Sequence, residues 1–196
     1  SKDEEVKLNE ILKKYPMSIT PYYLSLVDFN DPDDPIKKMC IPSIAETDLS
    51  GSFDTSGEAD NTVVTGVQHK YRETVIVLST NHCAMYCRHC FRKRLVGLSD
   101  EEIAKYFDEM IEYIKEHKEI SNVLISGGDS FCNSNAKIEK YLRELIEIEH
   151  LDLIRFGTRI PVVYPQRISK DYNLKKILKS YCKKKQIYVV TQFNHP

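Results

Sequence analysis

The sequence has no long apolar run. Stretches such as VIVL (75–78) and VLI (123–125) are typical, far below the roughly 20 residues that a membrane helix needs. It has no charge of one dominant sign either: 28 Lys and Arg face 29 Asp and Glu, a formal net charge of −1. Nucleic acid and anionic membrane surfaces therefore have no general electrostatic hold on it, and any basic site must be local. The N-terminal SKDEEVKLNE lacks the apolar stretch of a secretory signal. These absences lead us to expect a cytoplasmic protein with neither a nucleic-acid nor a membrane partner. Its 196 residues, 41% apolar, suffice for one domain with a core and at most an appendage.

What is present is regular from about residue 67 onward. Before that, residues 4–14 (EEVKLNEILKK) place Val6, Leu8, Ile11 and Leu12 near helical spacing, and two prolines then break the pattern. Residues 1–27 read as a small helical segment. Residues 28–66 are dominated up to Asn61 by Asp, Pro, Ser, Gly and Thr with little periodicity, and read as an irregular surface connection. Four strands are then expected, in TVIVLST (74–80), NVLISGGD (122–129), LDLIRFGT (151–158) and QIYVVTQF (186–193). Helices are expected between them at 99–117, 135–150 and 169–185. The first would open on a capping box of Ser99 and Glu102 and bury a face of Ile103, Phe107, Met110, Ile111 and Ile114.

Strand and helix alternating at roughly 30-residue spacing is the pattern of right-handed βα units on a parallel sheet. Residues 67–196 therefore read as an α/β core, and function is expected at the C-terminal strand ends. Those ends carry NHCAMYCRHC, SGGD, GTRIPVV and FNHP. The chain stops at Pro196, just past the fourth strand, which leaves a sheet edge uncovered. That predicts a longer natural protein cut at this point.

A fourth ligand is the informative absence. Cys83, Cys87 and Cys90 fall within eight positions, while Cys40, Cys132 and Cys182 have no ligand-spaced companion and read as core or loop thiols. Clustered thiols in a reducing compartment suggest a metal or redox role. Structural zinc wants four closed ligands, usually as two separated pairs. A ferredoxin-type cubane also takes four cysteines. Three thiolates on a [4Fe–4S] cluster leave one iron open, as a catalytic site requires. An iron–sulfur site is the favoured reading, with zinc and three unrelated thiols as alternatives. The turn SGGD would let a ligand approach the backbone closely at Gly127 and Gly128, although a Gly-Gly turn after a strand is by itself more often structural.

With an aromatic at His89, Cys83-x3-Cys87-x2-Cys90 resembles the signature of radical S-adenosylmethionine (SAM) enzymes. CAMYCRHCFRKR, SGGD, GTRIPVVYPQRI and FNHP, with ITPYYLSLVD upstream, together resemble the lysine 2,3-aminomutase family over most of residues 19–196. The resemblance implies a partial (β/α) barrel preceded by the helical segment. It implies a [4Fe–4S] cluster on the three cysteines and SAM chelated at the open iron and cleaved to a 5′-deoxyadenosyl radical. It places His89 against the adenine, Ser126, Gly127, Gly128 and Asp129 at the methionyl end, and Arg159, Gln166 and His195 at SAM or along the site. Arg92 would grip the α-carboxylate of an amino acid substrate, as a planar guanidinium suits.

The resemblance also implies pyridoxal 5′-phosphate (PLP), with Lys70 and Tyr71 standing where the family contacts its phosphate. Lys70 occupies a position where Arg is usual, Thr74 replaces a second basic residue, and the family's PLP-anchoring lysine would lie beyond FNHP. An electron donor such as flavodoxin or ferredoxin is expected, and a homo-oligomer is compatible with the resemblance. The alternative is an iron–sulfur and SAM-binding protein without PLP chemistry, with a regulatory or other radical role.

Overall fold

The structure, a computed structural model, describes residues 2–48 and 50–194. In chain order the helices are α1 (Lys2–Lys14), α2 (Pro21–Leu24), α3 (Pro35–Cys40), α4 (Phe107–Glu116), α5 (Asn135–Leu145), α6 (Ile160–Val163), α7 (Gln166–Ser169) and α8 (Tyr172–Tyr181). The strands are β1 (Thr62–Val64), β2 (Val67–Tyr71), β3 (Thr74–Thr80), β4 (Asn122–Gly127), β5 (Leu153–Gly157) and β6 (Gln186–Val190), and short 3-10 turns lie at Ile44–Thr47 and Ser130–Cys132. One six-stranded sheet runs in the order β1-β2-β3-β4-β5-β6. β3 to β6 are parallel, as the alternation implies, whereas β1 and β2 add an antiparallel ribbon to the β3 edge.

Register explains how the sheet buries one face. Val75 pairs Val123, Val77 pairs Ile125, and these align with Ile154 and Phe156 of β5 and with Ile187 and Val189 of β6. The first six are fully buried, packed in one core with Met110, Ile111 and Ile114 of α4 and with Ile138, Tyr141, Leu142 and Leu145 of α5. Each fully buried aliphatic side chain of this kind contributes about 1.5–3 kcal/mol. The opposite face presents Ile76, Leu124, Ser126 and Val190 to a cavity. A second small core of Tyr23, Met39, Cys40, Met85 and Val163 joins the N-terminal third to the strand ends. Among the described residues no helix is long and apolar enough to cross a membrane.

Three expectations need correction. The helix expected at 99–117 begins only at Phe107. Ser99 accepts a bond from Glu101 N–H, but the Glu102 carboxylate is taken by the Arg94 guanidinium at 3.0 and 2.7 Å, and Ala104 N–H donates to Leu78 O at 2.8 Å. Those tertiary bonds hold the chain out of the first helical turn, and Ile103 packs with Leu78 and Leu95 instead. The strand expected at 74–80 is observed over those residues, whereas the later elements are shorter than expected: strands end at Gly127, Gly157 and Val190, and helices at Leu145 and Tyr181. Finally, the stretch expected to be irregular contains α3, a 3-10 turn closed by a Ser43/Glu46 capping box, and β1.

Candidate functional site

The loop after β3, residues 81–97, carries the three cysteines and is held from several sides. Tyr86 N–H donates to Ser18 O (2.9 Å), Arg88 N–H to Met39 O (2.8 Å), and Gly97 N–H to Asn81 O (2.9 Å). The Arg88 side chain is buried, bonding Glu46 at 3.0 and 2.6 Å, Pro16 O at 3.0 Å and Tyr15 O at 3.3 Å. Lys93 reaches the same Glu46 carboxylate and the carbonyl of Arg88. Burial works against ionisation of Glu46, but the bonds from Arg88 and Lys93 prevail and hold its carboxyl below the usual glutamate range.

The turn after β4 is locked onto this loop through backbone bonds. Gly128 N–H donates to Thr80 O and Asp129 N–H to His82 O (2.8 Å). A Cβ on Gly127, whose φ is +114°, would stand 2.3 Å from Thr80 O, and one on Gly128 would stand 2.4 Å from His82 O. Glycine is therefore required at both positions by the meeting of two loops, which is the structural reading of SGGD. Asp129 ties in the turn after β5: its carboxylate accepts from Thr158 Oγ1, Arg159 N–H (2.7 Å) and Phe131 N–H (3.0 Å). Burial raises its pKa above the ordinary aspartate value.

These three turns enclose a cavity of about 430 Å³, walled among others by Cys83, Cys90, Ser126, Gly127, Gly128 and Asp129, and by Arg92, Thr158, Arg159 and Thr191. The Cys87 sulfur borders it through Arg159, whose Nη1 donates to Sγ at 2.6 Å. Burial raises the Cys83 and Cys90 thiols, and Cys83 also feels Asp129, Cys132, Cys90 and Cys87. The fold thus brings Cys132 near Cys83, a neighbourhood its spacing did not reveal. All six cysteines are free thiols.

Among the described residues no three His, Cys, Asp or Glu side chains close on a single metal ion. A cubane, with its irons set apart, takes thiolates from a wider triangle, and Cys83 and Cys90 on the cavity wall with Cys87 behind Arg159 suit it. Two buried polar atoms of cavity-wall residues, Arg159 Nε and Thr191 Oγ1, have no partner. Buried polar groups normally have one, so a polar ligand suits this cavity.

The other expected site residues fall as follows. Ser126 faces the cavity and accepts from Arg92 Nη1 at 3.2 Å. His89 is exposed on the cysteine loop. Gln166 does not wall this cavity. It lies in a separate groove with Arg167 and Asp171, its Oε1 buried and unpartnered. His195 lies outside the described residues. Lys70 and Tyr71 end β2 where Tyr71 pairs with Thr74, at the far end of β3 from the cysteines. Lys70 Nζ donates to Ser56 O at 2.8 Å and Tyr71 is exposed. They form no phosphate cradle, so Lys70 and Tyr71 as placed do not fit PLP. Two charged residues escaped the sequence reading, Arg88 and Glu58, and no spacing signal marks either.

Comparison with known proteins adds a consistent pattern. The family model described as "Radical SAM superfamily" matches residues 77–192. An L-lysine 2,3-aminomutase of Clostridium subterminale is 40% identical over 199 residues, covering 100% of this chain and 47% of the relative. A putative L-lysine 2,3-aminomutase of Aquifex aeolicus is 37% identical, covering 99% and 52%, and a glutamate 2,3-aminomutase of Clostridioides difficile is 39% identical, covering 100% and 46%. The chain spans about half the length of these curated relatives.

Proposed function

The chain belongs to the radical SAM superfamily, and on that premise we propose that it serves a radical SAM isomerase of the amino acid 2,3-aminomutase type. The observation that carries this reading is the convergence of Cys83, Cys90, the Gly127–Gly128–Asp129 turn and Arg159 on one 430 Å³ cavity, with Cys87 bonded to Arg159. A [4Fe–4S] cluster with an open iron, together with SAM, supplies reductive cleavage of a sulfonium and a radical able to abstract hydrogen. Cys83, Cys87 and Cys90 bind that cluster as thiolates. Because burial raises the Cys83 and Cys90 thiols, cluster assembly draws their protons off and is favoured by rising pH. The glycine turn would hold the methionyl end of SAM through its backbone, Arg159 and Thr191 would offer it their unpartnered atoms, and exposed His89 would take the adenine.

Arg92 takes the carboxylate of a small amino acid substrate. An electron donor of the flavodoxin or ferredoxin class and a cytoplasmic location suit six free thiols. The positions of Lys70 and Tyr71 favour a second reading, radical SAM chemistry without PLP. To separate the two, the reconstituted protein is reduced with dithionite and given SAM and L-lysine or L-glutamate, with and without PLP. The main reading expects 5′-deoxyadenosine and a 3-amino acid that depends on PLP. Product formation indifferent to PLP supports the second, and failure to cleave SAM under any condition contradicts both.

A further inference from the structure

Arg92 does not stand alone. Its Nε donates to Oε1 of Glu58 at 2.8 Å and its Nη2 is ion-paired with the same oxygen at 2.7 Å, while Oε2 of that carboxylate accepts from Arg94 Nη2 at 2.7 Å. Glu58 and Arg92 are 4% and 6% exposed, so this is a desolvated arrangement and not a surface pair. Glu58 is itself anchored: its N–H donates to Asp54 Oδ1 (2.7 Å) and its carbonyl accepts from Thr62 Oγ1 (2.8 Å). Arg94 is tied in turn to Glu102 and to Phe53 O.

Two consequences follow from the donor count and the charges. A guanidinium has five N–H donors in a rigid plane. Glu58 takes the Nε/Nη2 edge of Arg92, which turns Nη1 toward Ser126 Oγ and Gly127 O on the cavity wall, at 3.2 and 3.4 Å. Nη1 is thereby fixed at the cavity wall by Ser126 and Gly127, and the second Nη2 N–H is the donor left over on the same Nη1/Nη2 edge. Arg94 is paired with Glu102 as well, so the two arginines and the two glutamates balance overall. Arg94 nevertheless draws on the Glu58 carboxylate, so Glu58 is shared between two guanidinium groups and does not neutralise Arg92 alone.

Building on the reading that Arg92 takes a substrate carboxylate, we propose that Glu58 is a positioning residue: shared with Arg94, it holds Arg92 by its Nε side, so that the Nη1/Nη2 edge of the guanidinium at the cavity wall meets the α-carboxylate of an amino acid substrate.

The test uses the reconstituted protein and titrations with L-lysine and L-glutamate, each compared with its α-amide. The variants are Glu58→Gln, Glu58→Asp, Arg94→Gln and Arg92→Lys. Losing a charge-assisted contact of this kind is expected to weaken binding of the α-carboxylate forms by about ten- to a hundredfold in Glu58→Gln. KM should rise more than kcat falls, Glu58→Asp should recover part of the loss, and α-amide binding should stay within about twofold. A purely structural role would weaken acid and amide alike and leave no rescue. Should Glu58→Gln fold poorly, Arg94→Gln carries the same prediction, because Glu58 then draws on the whole charge of Arg92.

Weakened acid binding in Arg92→Lys with none in Glu58→Gln or Arg94→Gln overturns the positioning role alone. Wild-type protein that binds acid and amide equally, or Arg92→Lys with no effect, overturns the carboxylate reading and the positioning role with it. SAM cleavage without substrate reports the cluster site separately.

Discussion

The helix-covered half of the sheet and the cysteine loop beside it are built on different principles. β3, β4 and β5 with α4 and α5 form a dry core in which aliphatic side chains meet in register, and many similar contributions add up. The loop 81–97 places Ala84, Met85 and Cys87 in one small apolar cluster and Leu95 in another, and is otherwise held by charge and backbone bonding. Arg88, Lys93, Arg92 and Arg94 reach Glu46 and Glu58 across 34 to 47 positions of sequence. A core of the first kind is redundant. The second kind rests on a few buried carboxylates, each serving two cations, and losing one leaves charges unpaired.

That difference sets the order of expected effects. Arg88→Ala should be the most damaging, because it strips Glu46 of its main partner and frees Tyr15 O and Pro16 O. Breaking a buried pair costs about 3–5 kcal/mol, read as a fall in the denaturant midpoint, whereas Arg143→Ala on exposed α5 should change it little. Gly128→Ala comes next. Its Cβ, 2.4 Å from His82 O, must part the two loops, for about 1–3 kcal/mol and a measurable loss of retained iron.

Acid should separate the two regions as well. The bonds from their cations outweigh burial and hold Glu46 and Glu58 below the ordinary glutamate pKa of 4.5. A carboxyl depressed on folding adds stability that is fully present above its unfolded pKa and is lost as pH falls through the folded one. Below about pH 4.5 the cysteine loop should therefore loosen first. Hydrogen exchange should show amides 81–97 losing protection while Val75, Val123 and Ile154 keep theirs, and Glu46→Gln should flatten that pH dependence. The smallest contrast lies in two serines. Ser134 caps α5 by accepting from Lys137 N–H at 3.2 Å, so Ser134→Ala should cost about 1 kcal/mol. Ser99 starts no helix, so Ser99→Ala should stay within about 0.5 kcal/mol.

The same contrast explains what the sequence could disclose. Val75, Val77, Val123, Ile125, Ile154 and Phe156 are legible because burial follows local periodicity, and so the parallel order of β3 to β6 was expected. The cysteine triplet is legible because its ligand spacing is local. Glu58 and Arg88 are not, since nothing near GEAD or RHC says which distant charges will meet. The capping box at Ser99 and Glu102 fits every local rule, yet Arg94 takes the glutamate. Likewise β1 and β2 were hidden within a polar stretch, and Cys132 shows its nearness to Cys83 only once the turn after β4 has folded back.

The most direct test of the central claim is electron paramagnetic resonance of the anaerobically reconstituted, dithionite-reduced protein before and after adding SAM. We predict about four irons per chain, a reduced-cluster signal that changes when SAM occupies the open iron, and loss of that signal in Cys83→Ala, Cys87→Ala and Cys90→Ala but not in Cys182→Ala. A signal that survives the three cysteine substitutions, or one that SAM leaves unchanged, would contradict the assignment of this cavity.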